Sequence, residues 1–533
     1  MNKLNGSFCA CFNFLSNNFI VKMKILLLYP EMPNNITNCK ETVRLAGRKS
    51  SFPPIGLLTV AALLPENWEK KVVDLNTDSL NLNNLAWADY VFISAMNVQA
   101  KSVFEIIKIC NENNSRIVAG GPLFTHEYQY FDGVDHFILN EAEITLSEFL
   151  KDLEKGNPKK IYQSKEFADV EKTPPPMWEL VDLNKYLYSI VQYSRGCPYL
   201  CDFCDVTALF GRRPRVKTPE QIIAELDVLV STGKTESILF ADDNLIGNKK
   251  LLKKELLPAL IEWRRRNPFA PGFTTQLTIN LADDEELCHL LLEAGFRHVL
   301  IGIESIEEES LKAMRKNQNA GRDILEIVKY LQGMGFMIIG TFIVGLDTDK
   351  PTVFDDVINF IKKSGIVYVI VNVLKAPPGT ELYDRMVREN RLLKKFEFDE
   401  DKTNIVPLMD TEELHKGYKK ILMEVYSSEK ILERVLQYYK DKNNLYKVKT
   451  SLKRKPTFAH VASFFRITYK LGIQQKKRKY FWKLLLETIK YNYRFLDTAI
   501  FYATLMYQYE ILLEIFLEKD RNGVFIYSNK LSA

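Results

Sequence analysis

The 533-residue chain is too long for one ordinary domain, and its 46% hydrophobic and 26% charged residues are the balance of a folded protein rather than a disordered one. Eight cysteines in this length exclude a disulfide framework. No run of about 18 uncharged apolar residues marks a membrane span, and the modest net charge of +5 hides a local asymmetry near the carboxyl end.

Residues 1–22 are Asn- and Phe-rich and run into a second methionine, Met23. Asparagines interrupt the apolar stretch that a secretory signal needs, so the segment reads as a disordered extension or an upstream start. From 23 to 155 strand and helix patterns alternate: KILLLYP, VVDLN, YVFIS, RIVAGGP and HFILN as strands, with PPIGLLTVAALLP, VFEIIKICNEN and EAEITLSEFLKDLEK as helices. Such alternation predicts a Rossmann-like, doubly wound parallel sheet, whose ligands bind beyond the carboxyl ends of the strands. Ser94 and the Gly120-Gly121 turn lie at two of those ends, and His126 reads as a surface residue of the loop beyond. Residues 156–185, with three prolines from Pro174 to Pro176, read as an extended linker.

The strand YSIVQYSRG opens the next unit and leads into CPYLCDFC, where Cys197, Cys201 and Cys204 are separated by three and then two residues. Three thiolates on one loop can hold three corners of a 4Fe-4S cube and leave the fourth iron for a small-molecule chelate. Zinc is the rival ligand, but structural zinc takes four protein donors and no fourth Cys or His lies nearby. Reduced thiols of this kind place the chain in the cytoplasm. Strand patterns then recur in ESILFADD, FTTQLTIN, HVLIGIES, MIIGTFIVG and VYVIVNV, which predicts a partial (β/α)6 barrel over 186–382. Chemistry in parallel barrels gathers at strand C-terminal ends. There the sequence places Asp242, Asp243 and Asn244, then Asn280, then Glu304 and Ser305, then Gly345.

Residues 383–533 read as mainly α-helical. Between 440 and 494 sixteen Lys or Arg face only Asp441 and Glu487, interleaved with aromatics. The segment reads first as a solvated helix face opposite an apolar one that packs on the barrel, and otherwise as a contact for an anionic membrane surface, a helper protein or nucleic acid. Nucleic acid ranks last, because no RNA-binding module is visible.

The cysteine loop, with aromatic Phe203 before the last cysteine, resembles the signature of the radical S-adenosylmethionine (SAM) enzymes. Through FPPIGLLTVAALLP, VVDLN, ISAMNVQ and GGPLFT the first unit resembles the cobalamin-binding domain that precedes many of these barrels. The three units together are similar to the group that carries a C-terminal helical domain of unknown function and includes the hopanoid methylases. That resemblance implies a 4Fe-4S cluster on Cys197, Cys201 and Cys204, with SAM and cobalamin as further cofactors. FADDN stands where the family has Gly-Gly-Glu, so Asp242, Asp243 and Asn244 would meet the SAM amino group without the usual glycines. GIES would bring Glu304 and Ser305 to the ribose, and GTFIVG, with Gly340 and Gly345, would pack on adenine. Ser94, Gly120 and Gly121 would lie at the nucleotide tail of cobalamin.

The loop after the first strand, YPEMPNNITN, lacks the histidine that ligates cobalt from below in other cobalamin domains, so a His-off cobalamin is expected. The implied reaction is reductive cleavage of SAM followed by methyl transfer from cobalamin to an unactivated carbon of a small or lipid-like substrate. A flavodoxin or ferredoxin would supply the electron; apart from the resemblance, the basic and aromatic residues of 440–494 admit a peripheral membrane contact at the inner surface, ranked after a solvated helix face. No catalytic acid or base is assigned. The alternatives are a radical SAM cyclase or rearranging enzyme without methyl transfer, and a non-catalytic iron-sulfur or cobalamin-binding protein.

Overall fold

The computed structural model describes residues 22–232, 237–393, 402–440 and 458–524. The extension read at 1–22, apart from Lys22, lies outside these residues, as do most of the acidic stretch near 400 and the basic residues 441–457.

Strands β1 (Lys24–Tyr29), β2 (Glu69–Asp74), β3 (Tyr90–Ser94), β4 (Ile117–Gly120), β5 (His136–Ile138) and β6 (Ile161–Tyr162) form one parallel sheet in the order β2-β1-β3-β4-β5-β6. The unbroken apolar run of β1 follows from burial on both faces. Leu26 and Leu28 enter one core with Val91 and Ile93, while Ile25 and Leu27 enter the other with Tyr90 and Phe92. The strand order reverses between β1 and β3, which opens a crevice at their carboxyl ends. Pro30 carbonyl lies there and accepts from Gln99 Nε2 at 2.7 Å and from Asn76 Nδ2 at 3.1 Å.

Residues 156–185 are more than a linker. They supply β6 as the edge of that sheet, short helical turns and the buried side chains of Tyr162, Val170 and Trp178. A run rich in proline and lysine hid this, because two-residue strands leave no periodic signal.

The second parallel sheet is built from β7 (Ser189–Val191), β10 (Ser237–Phe240), β11 (Gly272–Leu277), β12 (Phe296–Glu304), β13 (Met337–Val344) and β14 (Tyr368–Val373), in the order β14-β13-β12-β11-β10-β7. Between β7 and β10 the short antiparallel pair β8 (Ser194–Arg195) and β9 (Arg215–Val216) brackets the cysteine loop. Helices cover the outer face. Pro219–Ser231 starts on a Thr218–Gln221 capping box with Pro at its first turn. Ile324–Met334 starts on Asp323 and stops at Gly335, which has φ 114°.

A six-stranded parallel sheet leaves β14 with unpaired backbone groups, and the C-terminal helices satisfy them. Tyr509 hydroxyl accepts from Val369 N at 2.9 Å and donates to Val369 O at 2.5 Å. Tyr426 hydroxyl accepts from Val371 N at 3.0 Å, and Tyr418 hydroxyl donates to Val371 O at 3.1 Å. Helices Thr411–Tyr426, Ser428–Lys440, Arg478–Asn492 and Leu496–Arg521 therefore share one continuous hydrophobic core with the barrel. The stretch Arg478–Arg521 is long and apolar enough to cross a membrane by length and composition. It holds Leu505, Tyr509 and Phe516 inside that shared core, as the core helix of a folded unit does.

Candidate functional site

Gly196 opens the cysteine loop at φ 98°, in the left-handed region that favours glycine. A Cβ there would lie 2.9 Å from Gly211 O, so the loop can close on itself only with glycine at 196. Cys197 N donates to Gly211 O at 3.2 Å, and Cys204 N donates to Cys201 O at 3.2 Å. Segments that follow the barrel strands stitch the loop down. Gly196 N donates to Asp243 at 3.4 Å, Asn280 Nδ2 to Tyr199 hydroxyl at 2.8 Å, and Asp202 N to Met314 O at 3.1 Å. Phe203 packs on an apolar cluster that includes Met314, Leu346 and Leu382, which accounts for an aromatic before the last cysteine.

The three thiols are partly exposed. Burial pushes Cys204 up to about 12 and also raises Cys197, so as free thiols both stay neutral near pH 7. Two amides point at sulfur: Asn244 Nδ2 is 4.0 Å from Cys197 Sγ, and Gln318 Nε2 is 3.7 Å from Cys201 Sγ. Hydrogen bonds to ligand sulfur tune an iron-sulfur centre. Lys316 is buried beside them with Nζ 3.0 Å from Glu304 Oε1. Burial opposes its charge, but Glu304 and then the cysteines hold its pKa above the ordinary lysine value. Among the described residues no set of three or more His, Cys, Asp or Glu converges as a single-ion site requires. Three thiols on one loop, two amide donors and one buried cation make a donor set that suits a cube with a ligand on each of three corners.

Glu304 sits at φ 63° after a register shift in β12, and Thr341 Oγ1 donates to its second oxygen at 3.1 Å. Gly302 leaves the room: a Cβ there would meet Glu304 Oε1 at 2.2 Å and Lys316 Nζ at 2.7 Å. Ser305 is buried beside Glu304, and its Oγ accepts from Glu307 N at 3.1 Å. Gln318 Oε1 and Asn319 Oδ1 are buried here without a hydrogen-bond partner, the condition of acceptors awaiting a polar ligand.

Asp242 behaves differently from Asp243 and Asn244. Its carboxylate is fully buried and accepts from Tyr193 N at 3.3 Å, from Ser194 N, and from Ser194 Oγ at 2.5 Å. It fastens the strand before the cysteines instead of facing an amine. Gly340 also lies apart from Glu304 and Thr341, because strand alternation turns it outward, where a Cβ would meet Ile366 and Ile303. Gly345 has φ 85°, donates to Asp349 at 2.8 Å and lies against Leu414 of the C-terminal helices.

Burial pushes Asp242 up to about 7. A raised carboxyl binds its proton more tightly folded than unfolded, so its contribution to stability falls as pH rises from the ordinary carboxylate range through about 7. Asp242→Asn removes that titration. Denaturant midpoints of the apoprotein between pH 5 and pH 8 are expected to fall less steeply with pH in the variant than in the native chain.

In the first sheet Ser94, Gly120 and Gly121 come together at the ends of β3 and β4. A Cβ on Gly121 would lie 2.9 Å from Ser94 Oγ, and one on Gly120 would lie 2.6 Å from Ile138 O. The glycines serve the packing of the turn itself. Two buried polar atoms nearby have no partner: Asn97 Oδ1, beyond β3, and His126 Nε2, beyond β4. Such orphans at strand carboxyl ends fit a polar ligand there. His126 is not the surface residue that the sequence suggests; its ring packs on Gly379 at the end of the barrel. Burial lowers its pKa, while Asp205 of the cysteine loop opposes that shift.

The two sheets are locked at this point. Arg195 Nη1 is 2.8 Å from Glu141 Oε1 and its Nη2 is 2.8 Å from Glu143 Oε1, while Arg215 Nη1 is 2.9 Å from Glu141 Oε2. Ala168 N also donates to Glu141 Oε2 at 2.8 Å. Both arginines belong to the hairpin that carries the cysteine loop, so the loop is tied to the first sheet by buried charge. Sequence reading missed Arg195, Glu141, Lys316 and Gln318, because only the folded chain brings them to the thiols.

Comparison with known proteins matches three stretches of the chain to family models: a B12 binding domain over 41–150, the radical SAM superfamily over 191–374, and a domain of unknown function, DUF4070, over 380–521. The hopanoid C-2 methylase of Rhodopseudomonas palustris is 34% identical over 416 residues, covering 77% of this chain and 78% of that protein. An uncharacterised methyltransferase of Synechocystis is 35% identical over 476 residues, 88% of each chain. Among solved structures, the cobalamin-dependent SAM radical enzyme OxsB covers 96% of this chain and 82% of its own, with TM-score 0.59 at 15% identity. The radical SAM methyltransferase TsrM of Kitasatospora setae covers 69% of this chain and 76% of its own, with TM-score 0.54 at 15% identity. These last two show a shared fold.

Proposed function

Because the chain belongs to the family of cobalamin-binding radical SAM enzymes that includes the hopanoid C-2 methylase, we propose that it transfers a methyl group to an unactivated carbon of a small, apolar or lipid-like substrate. A 4Fe-4S cluster, SAM and cobalamin are its cofactors, which when bound supply one-electron cleavage of SAM and a transferable methyl group. The observation that carries the reading is the buried Glu141–Arg195–Arg215 lock, which holds the carboxyl ends of the first sheet against the cysteine loop.

The protein's own groups divide the work. Cys197, Cys201 and Cys204 are the cluster ligands, with Asn244 and Gln318 donating to their sulfurs and Lys316 offsetting their charge. Asp243, Glu304 and Ser305 orient SAM, with the unpaired Gln318 and Asn319 oxygens as further acceptors. Asp242 positions the loop through Ser194. Ser94, Asn97 and the Gly120-Gly121 turn hold cobalamin from the side of the first sheet. A small redox protein of flavodoxin or ferredoxin type delivers the electron.

The candidate place for the substrate is a surface pocket of about 200 Å³ between the loop after β1, the edge of β14 and the C-terminal helices, whose wall mixes Ile36, Val371, Leu513 and Phe516 with Asn35, Asn372 and Lys519. The substrate class is tested by giving the anaerobic, cofactor-loaded protein trideuteromethyl SAM together with apolar and polar extracts of its host. The expected result is a deuterated methyl group in one apolar compound. Label confined to the polar extract, or absent from both, contradicts the proposed class.

A further inference from the structure

Helix Phe458–Ile467, its continuation Thr468–Gln474 and helix Arg478–Asn492 form a hairpin on the outside of the C-terminal region. Helix Arg478–Asn492 buries Phe481, Leu484, Leu485 and Thr488 toward the core, a spacing of three, four and seven residues. The rest of such a helix is ordinarily polar. Here a second stripe, about 110° around the helix from the buried one, carries Trp482, Leu486, Ile489 and, just past the helix, Tyr493, at spacings of four, seven and eleven, with Leu486 56% exposed and Tyr493 65% exposed. The first arm repeats the pattern with Phe458, Val461, Phe465 and Tyr469, of which Phe465 is 66% exposed. The arms meet where Trp482 Nε1 donates to Gly472 O at 2.9 Å, beside exposed Ile473. Two apolar stripes thus stand exposed outside the core, which the simple picture of a solvated outer face does not explain.

Charge names the occupant. Between 458 and 494 nine Lys or Arg stand against one acid, Glu487. Lys479, Lys483 and Lys490 fall about 50–90° farther around the helix from the apolar stripe, opposite the buried face, at roughly 100° per residue. An exposed apolar stripe bordered on its outer side by lysines suits the boundary between lipid headgroups and acyl chains, with the apolar side chains among the chains and the ammonium groups among phosphates. The hairpin is also braced from beneath. Arg466 Nη1 donates to Leu45 O at 2.9 Å, and Ser463 Oγ to Ala46 O at 2.9 Å, joining it to the first sheet's unit.

We infer that the 458–494 hairpin is a docking surface for an anionic lipid bilayer, on which the protein lies without crossing it. Vesicle binding at this surface needs no catalysis, so its outcome is separate from that of the methyl-transfer reading.

The test is flotation of the full-length, cofactor-loaded protein with vesicles of phosphatidylcholine alone or with added phosphatidylglycerol. The native protein is expected to float with the anionic vesicles and to bind less as salt rises. The pair Leu486→Ser and Ile489→Ser is expected to weaken binding to both vesicle types at least tenfold, and Phe465→Ser on the other arm acts as an independent probe. Lys479→Glu with Lys483→Glu is expected to abolish the preference for the anionic vesicles. Unchanged circular dichroism and cluster absorbance establish that each variant is folded. Native protein that stays with the soluble fraction, or stripe variants that float as the native protein does, overturns the inference. So does a stripe variant that instead dissociates a dimer or releases bound nucleic acid while vesicle binding is unchanged.

Discussion

Cys201→Ala is expected to lose the brown iron-sulfur absorbance after anaerobic reconstitution and to reduce SAM cleavage to background. In the proposed assignment each of the three thiolates would hold one iron, and the loop carries no further cysteine to replace the one removed. Gln318→Ala keeps all three thiolates and removes the amide 3.7 Å from Cys201 Sγ. Loss of a partner of that kind costs about 10–100-fold in affinity or activity. The cluster is therefore expected to form in this variant, with 5′-deoxyadenosine production falling within that range. An intact 4Fe-4S spectrum in Cys201→Ala would overturn the ligand assignment. Native activity in Gln318→Ala would show that the amide does not act on the cluster.

Glu141→Ala removes the acceptor at the centre of the lock between the sheets. Glu141 is 2% exposed at its side chain, and Arg195 and Arg215 are 13% and 17% exposed. Breaking one side of a buried ion pair costs about 3–5 kcal/mol, because the remaining charge has lost both water and partner. Arg195 keeps Glu143, and Arg215 keeps the carbonyls of Ala168 and Phe210, so the lower part of that range is expected. Against a total stability of about 5–15 kcal/mol this is a large loss. Denaturant midpoints should fall, and limited proteolysis should open the chain within 156–185, where Ala168 N loses its bond to Glu141. A midpoint unchanged from the native chain would mean that the lobes are held together elsewhere.

The legible parts of this molecule were those with short-range signals. Apolar runs such as KILLLY announced strands buried on both faces, and the three cysteines marked the loop that the β8–β9 pair brackets, because each pattern is complete within about ten residues. The strand-end acids were readable as positions but not as orientations. Asp242 and Asp243 are neighbours in sequence, yet one turns under the strand to Ser194 and the other meets Gly196 at the base of the loop. Gly340 shows the same limit, since alternation along β13 sends it outward while Thr341 reaches Glu304. Lys316 and Gln318 sit more than a hundred residues from the thiols they serve. Tyr509, which closes the edge of β14, lies 140 residues from Val369. Nothing local distinguishes these side chains from ordinary surface lysines or core tyrosines, and only the closure of the barrel reveals them.

The outward face of the C-terminal hairpin was half legible. Composition gave its lysines and aromatics. It could not say that the aromatics would face away from the core, because helix Arg478–Asn492 is apolar on two sides and either could have been buried.

If the barrel cleaves SAM for radical chemistry while the neighbouring lobe supplies a methyl group renewed from a second SAM, one anaerobic reaction of the cobalamin-loaded protein with reductant and a host extract yields both 5′-deoxyadenosine and S-adenosylhomocysteine. Quantifying the two from that reaction decides the matter. Both products are expected, rising together and absent in Cys201→Ala. Deoxyadenosine without S-adenosylhomocysteine would contradict methyl transfer, and the absence of both would contradict the enzyme itself.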